Sequence, residues 1–205
     1  MNNIPVAKFV IAGMAALALT SAGAQSAKPS PADIVMKASF KDRGQAKVDR
    51  LEQDETQRLC SQYPEKRPMD VARKIEALNM KLVKYPADGK LLGDWKEGEK
   101  VAQSGVGKQF SDNPANPSGG NCYACHQLTK AEISFGNIGP SLYNFGKLRG
   151  FTEAMQRYAY GKIYNADAYS ACTNMPRFGH QGILTEQQIK NVTALLMDPN
   201  SPVNK

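Results

Sequence analysis

Apolar residues recur at the spacing of helix turns in four parts of the chain, and no segment alternates between apolar and polar residues for long enough to predict a strand. The last helix has the clearest limits, because Thr185 and Gln188 form a capping-box pattern at its start and Pro199 stops it. The pattern predicts an all-α protein with helices over about residues 70–84, from about residue 94, over 152–160 and over 185–198.

The other parts of the chain are charged or rich in Gly, Pro, Asn and Ser. Residues 32–63 have few apolar positions, which predicts one or two solvated helices lying on another part of the molecule. Residues 104–121 and 161–182 are predicted to be irregular loops. Loops of this length in a small helical domain need a large object to pack around, so the domain is expected to enclose one.

The first residues of the chain have the three parts of a secretory signal peptide. Lys8 supplies the positive flank, residues 9–19 are the apolar core, and residues 22–24 are an A-x-A cleavage site. A membrane anchor is the alternative, but the apolar run is shorter than the ~20 residues that a membrane span needs. We therefore expect cleavage after Ala24, export to the periplasm, no membrane span in the mature chain, and a compartment in which cysteine pairs stay oxidised.

The length and composition describe a globular chain, with either one domain of ordinary size or one small domain with an appendage. The 205 residues are 41% hydrophobic and 22% charged, which is enough to bury a core and excludes a wholly disordered or fibrous protein. The predicted organisation is a signal peptide over residues 1–24, an N-terminal helical extension over 25–89 and a helical domain over 90–205. The net charge of +7 indicates an anionic or acidic partner. Nucleic acid is not expected, because the basic residues are scattered and form no stripe with aromatic residues between them.

The chemistry of the chain is concentrated in the sequence Cys122-Tyr123-Ala124-Cys125-His126. Two thiols separated by two residues can add to the two vinyl groups of a haem, and the histidine that follows then lies under the iron as its proximal ligand. A thioredoxin-like redox pair is disfavoured, because a loop rich in Gly and Asn precedes the motif where such a pair needs a strand. Half of a zinc site is disfavoured too, because the remaining cysteines and histidine show no paired spacing. The motif predicts one haem c, attached through Cys122 and Cys125, with His126 on the iron.

The sixth ligand of such an iron is commonly a methionine, which raises the reduction potential. Met175 stands in an irregular loop and is followed by Pro176, whose fixed φ holds the thioether in a stiff turn. Met175 is therefore the predicted distal ligand, and His180, expected to be a surface side chain, is the competing candidate. The other methionines outside the signal peptide lie in predicted helices, and those before the haem motif are expected to fill the core: Met36, Met69 and Met80 before the motif, Met155 and Met197 after it.

Several strings around the motif resemble the class I cytochrome c family, from its first helix to its last. They are GDWKEGEKVAQ (residues 93–103), CYACH, IGPSLYNFGKLRG, MPRFG and the capped C-terminal helix. The resemblance implies a class I cytochrome c fold over residues 90–205, preceded by the N-terminal helical extension. It also implies that the carbonyl of Pro140, in the pair Gly139–Pro140, holds the Nδ1–H of the proximal histidine and orients its ring. Gly98 takes the place of the glycine that packs the family's first helix against its last.

A narrower resemblance is carried by GNCYACHQL, GNIGPSLYNFGKLRGF and NMPRFGHQGILTEQQI. These strings, within about residues 90–198, resemble SoxX, the monohaem subunit of the SoxAX cytochrome of periplasmic thiosulfate oxidation. The resemblance implies a heterodimer with a SoxA-type cytochrome subunit, which acts as a haem-dependent L-cysteine S-thiosulfotransferase on a cysteine of the carrier SoxYZ. This chain would pass the released electrons to a soluble cytochrome c and would have no independent catalysis. Residues 26–89 match no general feature of class I cytochromes c.

Two other functions are compatible with the same motif. A free diffusible electron-transfer cytochrome c needs no catalytic partner, but it has no use for an N-terminal region of about 60 residues. A haem sensor or peroxidase needs Met175 to leave the iron, and it would bind ligands in the ferrous state. Helices laid against a permanent partner would explain the weak apolar pattern of the extension, which favours the subunit of a complex.

Three basic residues flank the loops that carry the predicted haem ligands, and they are candidates for docking with an acidic partner: Lys147, Arg149 and Arg177. Ordinary solvated surface is the alternative for all three. Exposed charges are screened beyond ~10 Å at 0.1 M salt, so electron transfer to a partner is expected to weaken as salt is added.

Cys60 and Cys172 are the two cysteines outside the motif, and an even remainder in an exported chain favours a disulfide. The bridge would join the N-terminal extension to the loop of Met175 and make that loop stiffer. The alternative is a pair of unpaired buried cysteines, which behave as small apolar side chains.

Overall fold

The computed structural model of the chain describes residues 30–205. The predicted signal peptide, residues 1–24, lies outside the described residues, as does the start of the predicted extension. The described part divides into two units, residues 30–40 and residues 41–205. Within residues 30–205, no helix combines the length and the apolar character needed to cross a membrane.

The first unit contains one helix, α1 (Pro31–Ser39), with a complete capping box. The hydroxyl of Ser30 accepts a hydrogen bond from the backbone N–H of Asp33 at 3.2 Å, and the carboxylate of Asp33 accepts one from the backbone N–H of Ser30 at 2.9 Å. The side chains of Ile34 and Val35 are exposed. Local capping therefore defines where this helix begins, as its sequence dictates.

The second unit is helical, and its residues form no strand beyond an isolated bridge between Arg43 and Ala46. The all-α class predicted from the sequence is confirmed for the described residues. The unit contains α2 (Glu55–Gln62), α3 (Met69–Met80), α4 (Trp95–Gln103), α5 (Phe145–Arg149), α6 (Glu153–Tyr164) and α7 (Glu186–Met197), with 3₁₀ turns at Val48–Leu51, Cys122–Ala124, Ala166–Ala168 and Pro202–Asn204.

Helix α7 lies at the centre of the core. Residues 189–197 are all buried, and both α4 and α6 pack against this helix. The predicted capping box is present, because the hydroxyl of Thr185 accepts the backbone N–H of Gln188 at 3.2 Å. Where α4 crosses α7, Gly98 lies so close to the backbone carbonyl of Asn191 that a Cβ atom has no room. Gly98 therefore sets the close approach of the two helices, as the resemblance to class I cytochromes c implies.

The helices α2 and α3 are joined to the C-terminal part of the chain by a buried hydrogen-bond network. The side-chain amide of Asn79 donates to the hydroxyl of Thr56 at 2.8 Å, and that of Asn165 donates to Oδ1 of Asn79 at 3.0 Å. The network thus connects α2, α3 and the residue that follows α6. Residues 41–205 form one compact unit. The predicted boundary between residues 89 and 90 stays a prediction.

Helix α3 is shorter than predicted and exposes its methionines. It ends at Met80 instead of residue 84, and the bonds that follow, from the N–H of Leu82 to the carbonyl of Asn79 and from the N–H of Val83 to that of Met80, are of the tighter three-residue kind. Met69 is 67% exposed and Met80 is 42% exposed, so the prediction that they fill the core is wrong. Both residues lie at the ends of α3, away from the buried contact that the helix makes through Ile75.

Helix α6 is longer than predicted, because tertiary contacts outweigh a local signal. It continues to Tyr164 instead of residue 160 and includes Gly161, a residue that lowers helix propensity. Gly161 is buried and lies against the hydroxyls of Tyr85 and Tyr169, so closely that a Cβ atom would overlap with them. The glycine in this helix therefore permits side-chain packing from two distant segments.

Candidate functional site

The two predicted attachment cysteines lie in a tight turn. Cys122 begins the 3₁₀ turn Cys122–Ala124, and the backbone N–H of His126 donates to the carbonyl of Cys122 at 2.9 Å. Asn121 precedes the turn with φ +46°, a left-handed conformation that asparagine tolerates better than most residues. Neither Cys122 nor Cys125 forms a disulfide. Burial raises the pKa of the Cys122 thiol to about 12, so this thiol is neutral at pH 7.

Tyr123, between the two cysteines, holds the turn on helix α4. Its side chain is buried, and its hydroxyl donates to the carboxylate of Glu99 in α4 at 2.9 Å. The hydroxyl of Thr129 lies 3.3 Å from the same oxygen of Tyr123. Burial raises the pKa of Tyr123 well above its ordinary value. The motif specifies only the cysteines and the histidine, so the sequence does not predict this role of Tyr123.

The ring of His126 is oriented by the pair Gly139–Pro140. Its Nδ1 atom lies 2.7 Å from the carbonyl oxygen of Pro140. Because a carbonyl oxygen can only accept, Nδ1 carries the proton and the lone pair is on Nε2. Gly139 lies against the ring, where a Cβ atom would overlap with it, and its N–H donates to the carbonyl of Cys125 at 2.9 Å. The chain therefore presents Nε2 of His126 as the nitrogen that can bind a metal.

Met175 lies in the irregular segment between α6 and α7, as predicted. Its backbone N–H donates to the hydroxyl of Thr173 at 3.3 Å, and its half-buried side chain packs against the same hydrophobic core as Cys122. The structure thus places Met175 and the attachment turn on one core. Coordination of iron by Met175 stays a prediction.

A disulfide joins Cys60 in α2 to Cys172 in the loop of Met175, with the two Cα atoms 5.6 Å apart. This is the pair that the sequence favours, and it connects positions separated by 112 residues. Cys172 has φ +59°, a left-handed conformation that side chains other than glycine adopt at a cost. The loop is therefore attached to the N-terminal extension three residues before Met175.

Arg177 is 4% exposed, so the prediction that it docks a partner is wrong. Its Nη2 atom lies 2.5 Å from Oδ2 of Asp54, and its Nε atom lies 3.6 Å from Oδ2 of Asp167. Asp54 is the N-cap of α2, and Asp167 lies in the turn after α6. The charge of Arg177 is therefore neutralised inside the protein by these two carboxylates. Burying the same guanidinium without a partner would destabilise the fold by about several kcal/mol. Neither aspartate is predicted from the sequence: Asp54 is 123 positions away along the chain, and no local pattern singles out Asp167 in the irregular segment before Arg177.

The environment of this cluster shifts the pKa values of its members in different directions. Burial raises the pKa of Asp167 above its ordinary value. Burial acts in the same direction on Asp54, but hydrogen bonds from the backbone of Gln57 and from Arg177 outweigh it, and the pKa of Asp54 is lowered. His180 is half-buried, and burial followed by the charge of Arg177 lowers its pKa. His180 is therefore a neutral imidazole at pH 7 and not the surface side chain that the sequence predicts.

The residues of the site fit a covalently attached haem. The donor set consists of two thiols with the vinyl spacing, the Nε2 atom of His126 and the thioether of Met175. Within residues 30–205, His, Cys, Asp and Glu side chains form no group of three or more suited to a metal ion on their own. Large apolar side chains that could pack against a haem ring are exposed in the segment after the motif, namely Ile133, Phe135, Ile138, Leu148 and Phe151.

Two of the three predicted docking residues remain candidates, because Lys147 and Arg149 are exposed. Both lie in the short helix α5, and the guanidinium of Arg149 lies 5.0 Å from the centre of the Phe145 ring. Such a contact orients the side chain while its charge stays in water. Docking through these residues stays a prediction.

Comparison with known proteins assigns a family to the second half of the chain. The family model described as cytochrome c matches residues 95–198, a range that runs from the start of α4 to the end of α7 and includes the haem motif and Met175. The chain is also similar to an uncharacterized lipoprotein of Aquifex aeolicus (strain VF5). The two sequences are 35% identical over an alignment that covers 100% of this chain and 99% of the relative. The similarity to the relative therefore includes the N-terminal extension.

Proposed function

The chain belongs to the cytochrome c family, and on that premise we propose that it is the monohaem subunit of a SoxAX-type complex, relaying electrons released when thiosulfate is joined to a carrier cysteine. Membership of the family makes the chain an electron-transfer haem protein with covalent haem c. The proposal adds the number of haems, the partner and the reaction.

The observation that carries the electron-transfer role is the fixed ring of His126, directly after the two cysteines of the haem motif. When bound, haem c supplies an iron that gains and loses one electron. Pro140 accepts the Nδ1–H of His126 at 2.7 Å, and Gly139 lies against the ring, so the ring keeps its orientation. The disulfide of Cys172 restrains the loop of Met175 in the same way. Donor atoms that stay in place during a one-electron change suit a relay better than a site that binds substrate.

The proposed partner is supported by the strings that resemble SoxX and by the N-terminal extension. The extension is bonded to the loop of Met175 and to the residue that follows α6, so it is a built part of the molecule. A free shuttle has no need of such a structure, whereas a permanent subunit does. The similarity to the Aquifex aeolicus protein over its whole length supports the view that the extension belongs to the functional chain.

In the proposed reaction, the sulfur of a carrier cysteine forms a bond with the outer sulfur of thiosulfate. The S–H bond of the cysteine breaks, its proton goes to solvent, and two electrons leave. The product is an S-thiosulfonate on a SoxYZ-type carrier, so the complex is a haem-dependent L-cysteine S-thiosulfotransferase. The bond forms in the SoxA-type subunit, and this chain passes the two electrons, one at a time, to a soluble cytochrome c.

The proposed place of this reaction is the periplasm. The N-terminal pattern with Lys8, an apolar core and an A-x-A site supports export. The relative from Aquifex aeolicus is called a lipoprotein, a name that also supports delivery to the cell envelope. Export is compatible with the disulfide between Cys60 and Cys172, since oxidising compartments maintain such bonds.

The test is reconstitution of the complex from purified parts. The exported holoprotein is mixed with a SoxA-type subunit, a thiosulfate carrier and a soluble cytochrome c, whose reduction is followed by absorbance. We expect the two haem subunits to elute together, one covalent haem per copy of this chain, and reduction that depends on thiosulfate and on this chain. A carrier without its cysteine is the matched control and should abolish the signal.

Two results would contradict the proposal and identify another function. A holoprotein that elutes alone, with acceptor reduction that is equally fast without it, would be a free diffusible electron-transfer cytochrome c. A ferrous holoprotein that binds carbon monoxide at once would have an open iron position and would be a sensor or peroxidase.

A further inference from the structure

We propose that Arg177 is a positioning residue that keeps Met175 on the haem iron by fastening the loop of Met175 to helix α2, a role that rests on the haem ligation proposed above. The guanidinium of Arg177 is paired with Asp54 and Asp167 and not with the residues of the haem motif. It acts through the loop that carries the distal ligand, and it gives the N-terminal extension a part in the chemistry of the iron.

The loop of Met175 is attached to α2 at two points. Before the methionine, Cys172 is bonded to Cys60 in the last turn of α2. After the methionine, Nη2 of Arg177 donates to Oδ2 of Asp54, the N-cap of α2, at 2.5 Å. Met175 therefore lies between a covalent and a charge-assisted attachment at opposite ends of one helix. The disulfide alone leaves the side of the loop after Met175 without an attachment to α2.

The second attachment depends on the shape of the arginine side chain. The Nε atom of Arg177 lies 3.6 Å from Oδ2 of Asp167, while Nη2 reaches Asp54. Oδ1 of Asp167 accepts the backbone N–H of Thr173 at 3.3 Å, so Asp167 also holds the loop from within. One planar guanidinium thus spans two carboxylates, which the single ammonium group of a lysine does poorly. Because Arg177 is 4% exposed, salt screens these pairs only weakly.

Packing alone does not fix the distance between the loop and α2. A cavity of about 240 Å³ is lined by Thr56 and Gln57 of α2 and by loop residues that include Met175 and Arg177. When the ion pair is broken, this space leaves the loop room to move relative to α2, and the thioether of Met175 would move with it.

His180 offers a displaced loop an alternative ligand. It follows Met175 by five positions in the same irregular segment, and its side chain is half-buried. A neutral imidazole is a common haem ligand. Holding the loop through Arg177 therefore also selects Met175 over His180.

The test uses three variants of the holoprotein: Arg177→Gln, Arg177→Lys, and Arg177→Gln combined with Asp167→Asn. The double variant removes a buried cation and a buried anion together, so it leaves no new unpaired charge from Asp167. The readouts are the weak long-wavelength band of the ferric iron–methionine bond and the affinity of the ferric protein for added imidazole. We expect the band to weaken in all three and the affinity for imidazole to rise at least tenfold, with unchanged helix content and haem attachment.

A control variant separates this effect from a general loss of charge on α2. Arg58→Gln removes an exposed ion pair with Glu55, 2.7 Å in length, from the same helix. We expect the band and the affinity for imidazole to stay as in the wild type. Asp54→Asn keeps a good N-cap for α2 and removes only the charge that faces Arg177. It should raise the affinity for imidazole, and it decides the case if the Arg177 variants do not fold.

Two results overturn the positioning role in distinguishable ways. If Met175→Ala loses the band but folded Arg177→Gln and Asp54→Asn keep it and bind imidazole as the wild type does, Arg177 does not position the ligand. If the wild type has no such band, or Met175→Ala retains it, the ligation by Met175 fails and the role of Arg177 fails with it.

Discussion

One carbonyl oxygen decides how His126 faces a haem. The oxygen of Pro140 lies 2.7 Å from Nδ1 and thereby leaves the lone pair on Nε2. The adjacent Gly139 is in contact with the ring, and any larger residue would push the ring away. In the proposed ligation, the attachments of the loop through Cys172 and Arg177 would favour Met175 over His180 on the distal side.

Replacement of either distal candidate tests this assignment directly. Met175→Ala should abolish the weak long-wavelength band of the ferric protein, lower the reduction potential and open the iron to added ligands, because a thioether favours the reduced state. His180→Ala is the matched control and should leave the band unchanged. If the band survives in Met175→Ala and disappears in His180→Ala, His180 and not Met175 is the distal ligand.

At the scale of elements, the crossing of α4 and α7 forms the frame of the core. Gly98 of α4 lies against the backbone of Asn191 in α7, and residues 189–197 are buried throughout. The haem motif is held on α4 by a hydrogen bond, because the hydroxyl of Tyr123 donates to Glu99 in α4 at 2.9 Å. The position of the motif therefore depends on a correct approach between two helices.

Gly98→Ala should destabilise the protein although alanine favours a helix by ~1 kcal/mol. The added Cβ atom would overlap with the backbone carbonyl of Asn191, and such overpacking costs about 1–3 kcal/mol. Thermal unfolding of the holoprotein measures the effect, with Glu97→Ala on the exposed face of α4 as the control. Equal melting temperatures for Gly98→Ala and the wild type would mean that the helices can move apart without cost.

Acid should change the contributions of the two carboxylates that pair with Arg177 to the free energy of unfolding in opposite directions. The pKa of Asp54 is lowered, so its stabilising contribution is present above its ordinary value of 3.8 and is lost as the pH falls through the folded-state value. The pKa of Asp167 is raised, so its contribution is present below 3.8 and is lost as the pH rises through the folded-state value.

Stability measured against pH between about 3 and 6 separates these two contributions. The difference in unfolding free energy between the wild type and Asp54→Asn should shrink as the pH falls. The difference between the wild type and Asp167→Asn should change in the opposite direction. Parallel curves for the two variants would show that the carboxylates do not have the assigned environments.

At the scale of the molecule, residues 30–205 are all-α, and the class I cytochrome c fold predicted for the second half of the chain is confirmed. Helices α2 and α3 of the extension belong to the same compact unit as the haem domain, residues 41–205. The disulfide between Cys60 and Cys172, the hydrogen bonds of Asn79 and the ion pairs of Arg177 connect the two parts. The extension is thus tied to the segment between α6 and α7 that carries Met175.

Loss of the disulfide should therefore affect both stability and the distal loop. For cysteines separated by 112 positions, the chain-entropy model gives about 4–5 kcal/mol of stabilisation. The double variant Cys60→Ala with Cys172→Ala should melt at a lower temperature and bind imidazole more tightly. Intact-mass measurement after alkylation checks the bond, and two labels on the unreduced wild-type holoprotein would contradict it.

Lys147 and Arg149 of α5 expose positive charge at the surface, where a partner protein could dock. Lys147→Glu with Arg149→Glu should slow electron transfer to an acidic partner by about tenfold or more at low salt, because complementary charge speeds encounter. The wild-type rate should fall with added salt, and Lys147→Arg with Arg149→Lys, which preserves the charge, should behave like the wild type. A flat salt profile would contradict docking through charge.

The sequence by itself determined the features that depend on neighbouring residues. The capping box of Thr185 and Gln188, the helical class and the spacing within the haem motif follow from interactions between residues a few positions apart. The position of Met175 in an irregular loop follows in the same way from the adjacent proline and the absence of a helical pattern. An even number of spare cysteines was enough to favour the bond between Cys60 and Cys172.

Only the tertiary structure decided which distant residues meet. Arg177 looks like a surface charge from its neighbours, but it is buried against Asp54, a residue 123 positions away. Gly161 lies inside α6 because a side chain at this position would overlap with Tyr85 and Tyr169 from two other segments. Met80 is exposed because α3 packs on the core through Ile75. Burial and charge pairing depend on long-range contacts, and a local pattern contains no information about which partner will fill the other side of a contact.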